Sequence, residues 1–203
     1  MRSDLLFSIP LGDWIETGVR WMIKSWDAFF DSLSVGLEKI YEWVYWALST
    51  PSFWVLIAIF AVVAFFAHGW KLAVGTVAGF LLIYGMGQWD NAMSTLALVV
   101  EASTIAILIG VPLGILAARV RVVSRIVRPL MDFLQTMPAF VYLIPFVMIF
   151  STGVVSGVVA TVLFAIAPSV RFTELGIRQV DPSVVEASYA LSLIHISEPT
   201  RLL

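Results

Sequence analysis

AMSTLALVVEASTIAILIGVPLGILAARVRVVSRIVR, residues 92–128, is the stretch from which the rest of the chain is read. From Ala92 to Ala118 it is longer than the ~20 apolar residues a helix needs to cross a bilayer, and Glu101 is its one charge. Gly110-Val-Pro-Leu-Gly114 would weaken a soluble helix, but a membrane helix tolerates it because neighbouring helices can satisfy the freed backbone groups. Arg119, Arg121, Arg125 and Arg128 follow with no acidic residue among them. By the positive-inside rule they mark a cytoplasmic segment.

Composition agrees with a lipid solvent. Hydrophobic residues make up 60% of the 203-residue chain and charged residues 13%, against about 25% charged in a soluble domain. The mean hydropathy is +0.96. The net charge of -2 says little, because the charges are segregated along the chain. With no cysteine, disulfides, thiolate catalysis and cysteine-ligated metals are excluded.

Working outward, Phe53 to Ala67 and Trp70 to Gly87 are two further apolar runs, joined tightly through His68 and Gly69. They are expected to form an antiparallel hairpin. On the other side, Leu130 to Phe150 holds Pro138 and Pro145, each lacking a backbone donor, so a kinked or broken span is expected. Ser151-Thr-Gly153 then turns the chain outside, and Val154 to Val170 returns it, with Pro168 near the inner end. Arg171 and Arg178 mark a second cytoplasmic segment. Both arginine groups fall on one side if the N-terminus is outside and there are about five spans.

Ahead of the spans, Ile15, Val19, Met22, Trp26, Phe29, Leu33, Leu37, Ile40, Val44 and Leu48 recur at helical spacing, an amphipathic helix from Trp14 to Leu48. Asp13, Glu16, Arg20, Asp27, Asp31, Glu38 and Glu42 are too many charges for a span. Trp14, Trp21, Trp26 and Trp43 suit headgroup depth, so the helix is expected along the outer membrane surface. A helix packed on a soluble partner, or a coiled coil, is the other reading. Met1 to Pro10 shows no small-residue cleavage pattern, so a cleaved signal peptide is not expected.

Catalytic constellations are lacking in the sequence. His68 and His195 have no local partners resembling a metal site or a nucleophile–base pair, and no cofactor or metal is expected. No Gly-x-x-x-x-Gly-Lys-Ser/Thr loop occurs, so an ATP-driven machine would need a separate ATPase subunit. Glu101, a carboxylate deep in an apolar run, is a candidate for the solute pathway, or else a solvated residue near the interface.

Asp132-Phe-Leu-Gln-Thr-Met-Pro-Ala-Phe-Val-Tyr-Leu-Ile-Pro145 resembles a signature stretch of the permease subunits of glycine betaine/proline/choline ABC importers. Gly110 to Arg119 and Arg171-Phe-Thr-Glu-Leu-Gly-Ile-Arg-Gln-Val180 resemble the same family, and the likeness runs from about Thr95 to Ala190. It implies an all-α integral membrane protein with an ABC importer permease fold, incomplete here: residues 1–50 the interfacial helix and 51–190 the transmembrane domain. It also implies a cytoplasmic ABC ATPase that binds the ATP, an extracytoplasmic substrate-binding protein, a second permease copy, and a bacterial or archaeal cell membrane. Glu186, Ala187 and Ser188, after a helix start at Asp181-Pro182, correspond to the family's Glu-Ala-Ala coupling motif. Where the family has a glycine, this chain has Ser192.

Gln135, Pro138, Phe140, Tyr142 and Pro145 join Glu101 as candidate pathway or packing residues. Betaine's quaternary ammonium suits an aromatic cage, but in this family the cage belongs to the binding protein. The alternatives are a permease for another small solute, such as a sulfonate or amino acid, or a pore or osmotic channel without an ATPase. The run Leu-Ser-Leu-Ile-His-Ile-Ser-Glu-Pro-Thr-Arg at Leu191 to Arg201 is what one frame of a common transposase-based library adapter encodes. Residues 191–203 are therefore expected to be non-native, with no functional meaning for His195, Glu198 or Pro199.

Overall fold

The computed structural model describes residues 11–181 together with Ser183, Val184 and Glu186. The expectations for Met1 to Pro10, for Ala187 and Ser188, and for 191–203 lie outside these residues. Every regular element among the described residues is an α-helix: α1 (Leu11–Ser25), α2 (Asp27–Ser49), α3 (Phe53–His68), α4 (Trp70–Gly85), α5 (Trp89–Arg119), α6 (Arg121–Thr136), α7 (Ala139–Phe150) and α8 (Val154–Arg178). They fall into two compact units. One takes the chain up to Thr104 with Pro138–Val162, the other Ile105–Met137 with the chain from Leu163 onward.

In the first unit the expected single N-terminal helix is kinked. Trp26 leaves helical geometry at φ -118°, ψ 19°, while backbone bonds still run through it from Met22 and on to Phe30. Pro51 has no N–H to continue α2, and α3 departs at 95°. If α3 crosses the bilayer, α2 therefore lies nearly in its plane. Trp21, Trp43 and Trp46 are exposed. The opposite side of α2 is seated by Phe30, edge-on to Phe150 of α7 at 5.7 Å, and by the Tyr41 hydroxyl, 2.8 Å from Ser94 Oγ of α5.

The hairpin forms as its tight connection predicts. Gly69 turns the chain at φ 83°, a conformation that favours glycine. Phe53 stacks on Tyr84 at 4.0 Å and Phe60 on Phe80 at 5.2 Å, so the two helices run antiparallel. Each has 16 residues, about 24 Å of helix against a hydrocarbon core of about 30 Å. Each helix alone is therefore somewhat shorter than the hydrocarbon core. Among the described residues α5 and α8 alone are long and apolar enough to cross unaided, and the pairs α2–α3 and α6–α7 qualify if each counts as one broken span.

Two boundaries after α5 differ from expectation. The arginine segment, expected between two spans, is itself helical, since α6 begins at Arg121. The span expected over Leu130 to Phe150 breaks at Met137 and Pro138, both extended (ψ 136° and 137°), because a residue before proline is pushed out of helical geometry. Pro145, by contrast, stays inside α7.

Val127 and Met131 of α6 pack with Ala167 and Val170 of α8, flanked by Leu113, Val123, Leu134 and Ile166. A close approach joins α5 to α8 at two glycines. A Cβ on Gly110 would lie 2.6 Å from Ser169 Cβ, and one on Gly114 would lie 2.6 Å from Thr173 Cβ and 2.8 Å from the Val170 carbonyl. This is a small-xxx-small seam, in which removal of side chains lets two membrane helices touch by their backbones. Moving four residues along α5 moves four along α8, so within the second unit the helices run parallel. Arg119 and Arg178 therefore lie at the same end.

Candidate functional site

Where α8 ends, the second unit gathers its charges around one carboxylate. Glu174 is 3% exposed. Its Oε1 accepts from Ser124 Oγ at 2.7 Å and from an Arg128 terminal nitrogen at 3.0 Å, and its Oε2 from Arg128 Nε at 3.3 Å. Arg178, one turn along the same helix, brings its Nε to 2.9 Å from Oε1. The two-pronged grip of Arg128 fits the planar guanidinium fork. Helical periodicity supplies these groups: Ser124 and Arg128 are four apart on α6, and Glu174 and Arg178 four apart on α8.

Arg178 also donates from a terminal nitrogen to the Ala117 carbonyl at 3.0 Å. That carbonyl lies in the last turn of α5, where carbonyls lack intrahelical partners and the helix end is partially negative. A second ion pair, Arg171 with Asp132, links α8 to α6 beside Glu174. Arg121 and Arg125 line an open concavity together with Arg128 and Arg178.

The cluster is asymmetric. The Glu174 side chain is 4% exposed, whereas those of Arg128 and Arg178 are 55% and 38% exposed. Removing the arginines would leave a buried anion short of partners, which costs several kcal/mol in a fully dry site. Removing the acid would leave two guanidinium groups that water can reach, at much smaller cost.

Past α8 the chain starts a new turn, as the Asp181-Pro182 pair suggests. The Asp181 carboxylate accepts from the Ser183 N–H at 2.8 Å and the Asp181 carbonyl from the Val184 N–H at 3.0 Å. The Ser183 backbone bond holds the Asp181 carboxyl below the usual aspartate range. Glu186 is exposed on this turn. Its partners in the motif, Ala187 and Ser188, lie outside the described residues.

The candidate pathway residues are divided between the two units. Gln135 belongs to the second unit, while Glu101, Pro138, Phe140, Tyr142 and Pro145 belong to the first. Gln135, Pro138, Phe140 and Pro145 are exposed. Phe140 and Tyr142 are two residues apart, about 200° around a helix, so one faces out and the other in. Glu101 is 2% exposed, so it is not a solvated interface residue. Both its oxygens, and the Tyr142 hydroxyl, are buried without a hydrogen-bond partner among the described residues.

Sequence reading missed Glu174 and the glycine seam. The seam had a signal, since Gly110 and Gly114 are spaced as a Gly-x-x-x-Gly motif in an apolar helix. Glu174 had none, because one acid among arginines after a span reads as a solvated residue.

Residues 110–196 match the family model described as binding-protein-dependent transport system inner membrane component. The match opens at the first glycine of the seam, takes in α6, α8 and the Glu186 turn, and ends past Ala190. Over 187 residues, 92% of this chain, the sequence is 43% identical to the glycine betaine transport system permease protein OpuAB of Bacillus subtilis. It is 41% identical over 89% of its length to the glycine betaine/proline betaine transport system permease protein ProW of Escherichia coli, and 42% identical over 89% to the glycine betaine/carnitine transport permease protein GbuB of Listeria monocytogenes. The chain spans 66%, 51% and 65% of the lengths of these three relatives.

Proposed function

The chain belongs to the inner membrane components of binding-protein-dependent transport systems, and we propose that it is the permease subunit of an ATP-driven importer for glycine betaine, proline betaine, choline or a related compatible solute. The observation that carries this reading is the 43% identity to a glycine betaine permease over 92% of the chain. A cytoplasmic ABC ATPase binds and hydrolyses ATP, a binding protein delivers the solute outside, and a second permease copy completes the pathway. The cell membrane is bacterial or archaeal.

The geometry supports this arrangement in three respects. The parallel seam brings both arginine groups to one end of the second unit, as a shared cytoplasmic face requires. The perpendicular α2, with its exposed tryptophans, suits the outer headgroup layer. Glu186 stands exposed on a turn started by Asp181 at the arginine end, where a groove of the ATPase can take it together with Ala187 and Ser188. Glu101, Gln135, Pro138, Phe140, Tyr142 and Pro145 remain the candidates for the pathway and its packing.

The test is uptake of labelled glycine betaine at high osmolarity by a strain lacking other betaine importers, with the full-length permease expressed beside its ATPase and binding protein. ATP-dependent uptake is expected, and Glu186→Lys should abolish uptake while the complex still hydrolyses ATP. Passive uptake indifferent to ATP would instead favour a channel. Undiminished uptake by the Glu186→Lys variant would remove the coupling role of that turn.

A further inference from the structure

Apolar contact between membrane helices is non-directional, and two helices joined by it alone can slip in register. At the arginine end of the second unit, slippage is opposed by polar contacts at fixed positions. Glu174 holds Ser124 and Arg128 of α6 and Arg178 of its own helix. The same Arg178 holds the Ala117 carbonyl at the end of α5. Immediately before Glu174, Thr173 sits against Gly114 of α5, and soon after Arg178 the chain reaches Asp181, which starts the Glu186 turn.

We propose that Glu174 is a positioning residue that makes the Glu186 turn, the first half of α6 and the last turns of α5 move as one body. Displacement of the turn by the ATPase is thereby delivered to a membrane-crossing helix rather than absorbed at the end of α8. This deepens the functional reading above and rests on it for the source of the motion. Stability alone is a poor account of the cluster, since its arginines are half in water. What a buried acid with four directed contacts supplies is a single register.

The experiment uses the full-length permease assembled with its ATPase and binding protein in lipid nanodiscs. With any cysteines elsewhere in the assembled complex replaced, spin labels are set at Val122→Cys, an exposed position on α6, and at Ser183→Cys on the turn. Pulsed electron resonance then gives the distance distribution between them, with and without ATP. With Glu174 present the distribution is expected to be narrow and insensitive to ATP. Glu174→Gln should broaden it and lower betaine imported per ATP hydrolysed about fivefold, and Glu174→Asp should recover part of both.

Equal widths in the parent and Glu174→Gln would overturn the proposal, as would uptake and hydrolysis falling together in proportion to lost complex. If Glu174→Gln does not assemble, Arg178→Ala leaves Ser124 and Arg128 on the acid and carries the same distance test; an unchanged width there is equally fatal. A parent complex that imports no betaine, yet whose distribution broadens in Glu174→Gln, would remove the functional reading and keep this one.

Discussion

Two glutamates sit in this chain at nearly the same burial, 2% for Glu101 and 3% for Glu174, in opposite circumstances. Glu174, near the end of α8, has a hydroxyl and two guanidinium groups directed at it. Glu101, midway along α5, has no hydrogen-bond partner among the described residues. Burial alone thus does not say what an acid does in a membrane helix. The first case is a joint, in which the acid fixes three helix segments against one another. The second is a group whose burial is offset by no hydrogen bond among the described residues.

The largest effect should come from opening the α5–α8 seam beside Glu174. Gly114→Leu drives a side chain into Thr173 Cβ and the Val170 carbonyl, neither of which can rotate aside. A loss of about 3 kcal/mol is expected, read as a lower melting temperature and lost complex in detergent. Gly79→Leu in α4, where a Cβ meets nothing within 4 Å, is the control and should be tolerated. Equal behaviour of the two would mean that the seam does not hold α8 against α5.

Next comes the attempt to turn Glu174 into a second Glu101. Arg128→Ala with Arg178→Ala leaves the acid only Ser124 and should cost about 2 kcal/mol, a figure reduced because the arginines are already half hydrated. Adding Glu174→Leu to that pair should restore much of the loss, since no anion then remains buried. Without such recovery, the cost lies in arginine packing and the contrast between the glutamates weakens.

The converse change should be nearly silent for stability. Glu101→Leu removes an acid without a hydrogen-bond partner and is expected to shift stability by less than about 1 kcal/mol, or to raise it. A loss of 2 kcal/mol or more in the isolated chain would reveal an intrachain partner. Smallest of all is the exposed pair of α1. Glu16→Ala breaks its 2.8 Å contact with Arg20 and should cost about 0.3 kcal/mol, within the error of a denaturation curve.

The sequence determined what depends on composition and local spacing. Long apolar runs and segregated arginines were enough for an all-α membrane protein, a hairpin at Gly69, a break near Pro138 and a helix start at Asp181. Each follows from lipid as solvent or from the backbone limits of glycine, proline and capping residues. The same logic singled out Glu101, because a charge inside an apolar run is visible in one dimension. Tertiary structure alone decided which residues, 46 to 61 positions apart, meet at Glu174 and Arg178. It also decided that Gly110 and Gly114 face α8, that the arginine segment after α5 is itself helical, and that α3 and α4 are each somewhat shorter than the hydrocarbon core. Spacing within a helix fixes which side chains share a face. Which face meets which neighbour depends on the packing of all the helices together, and no local pattern encodes it.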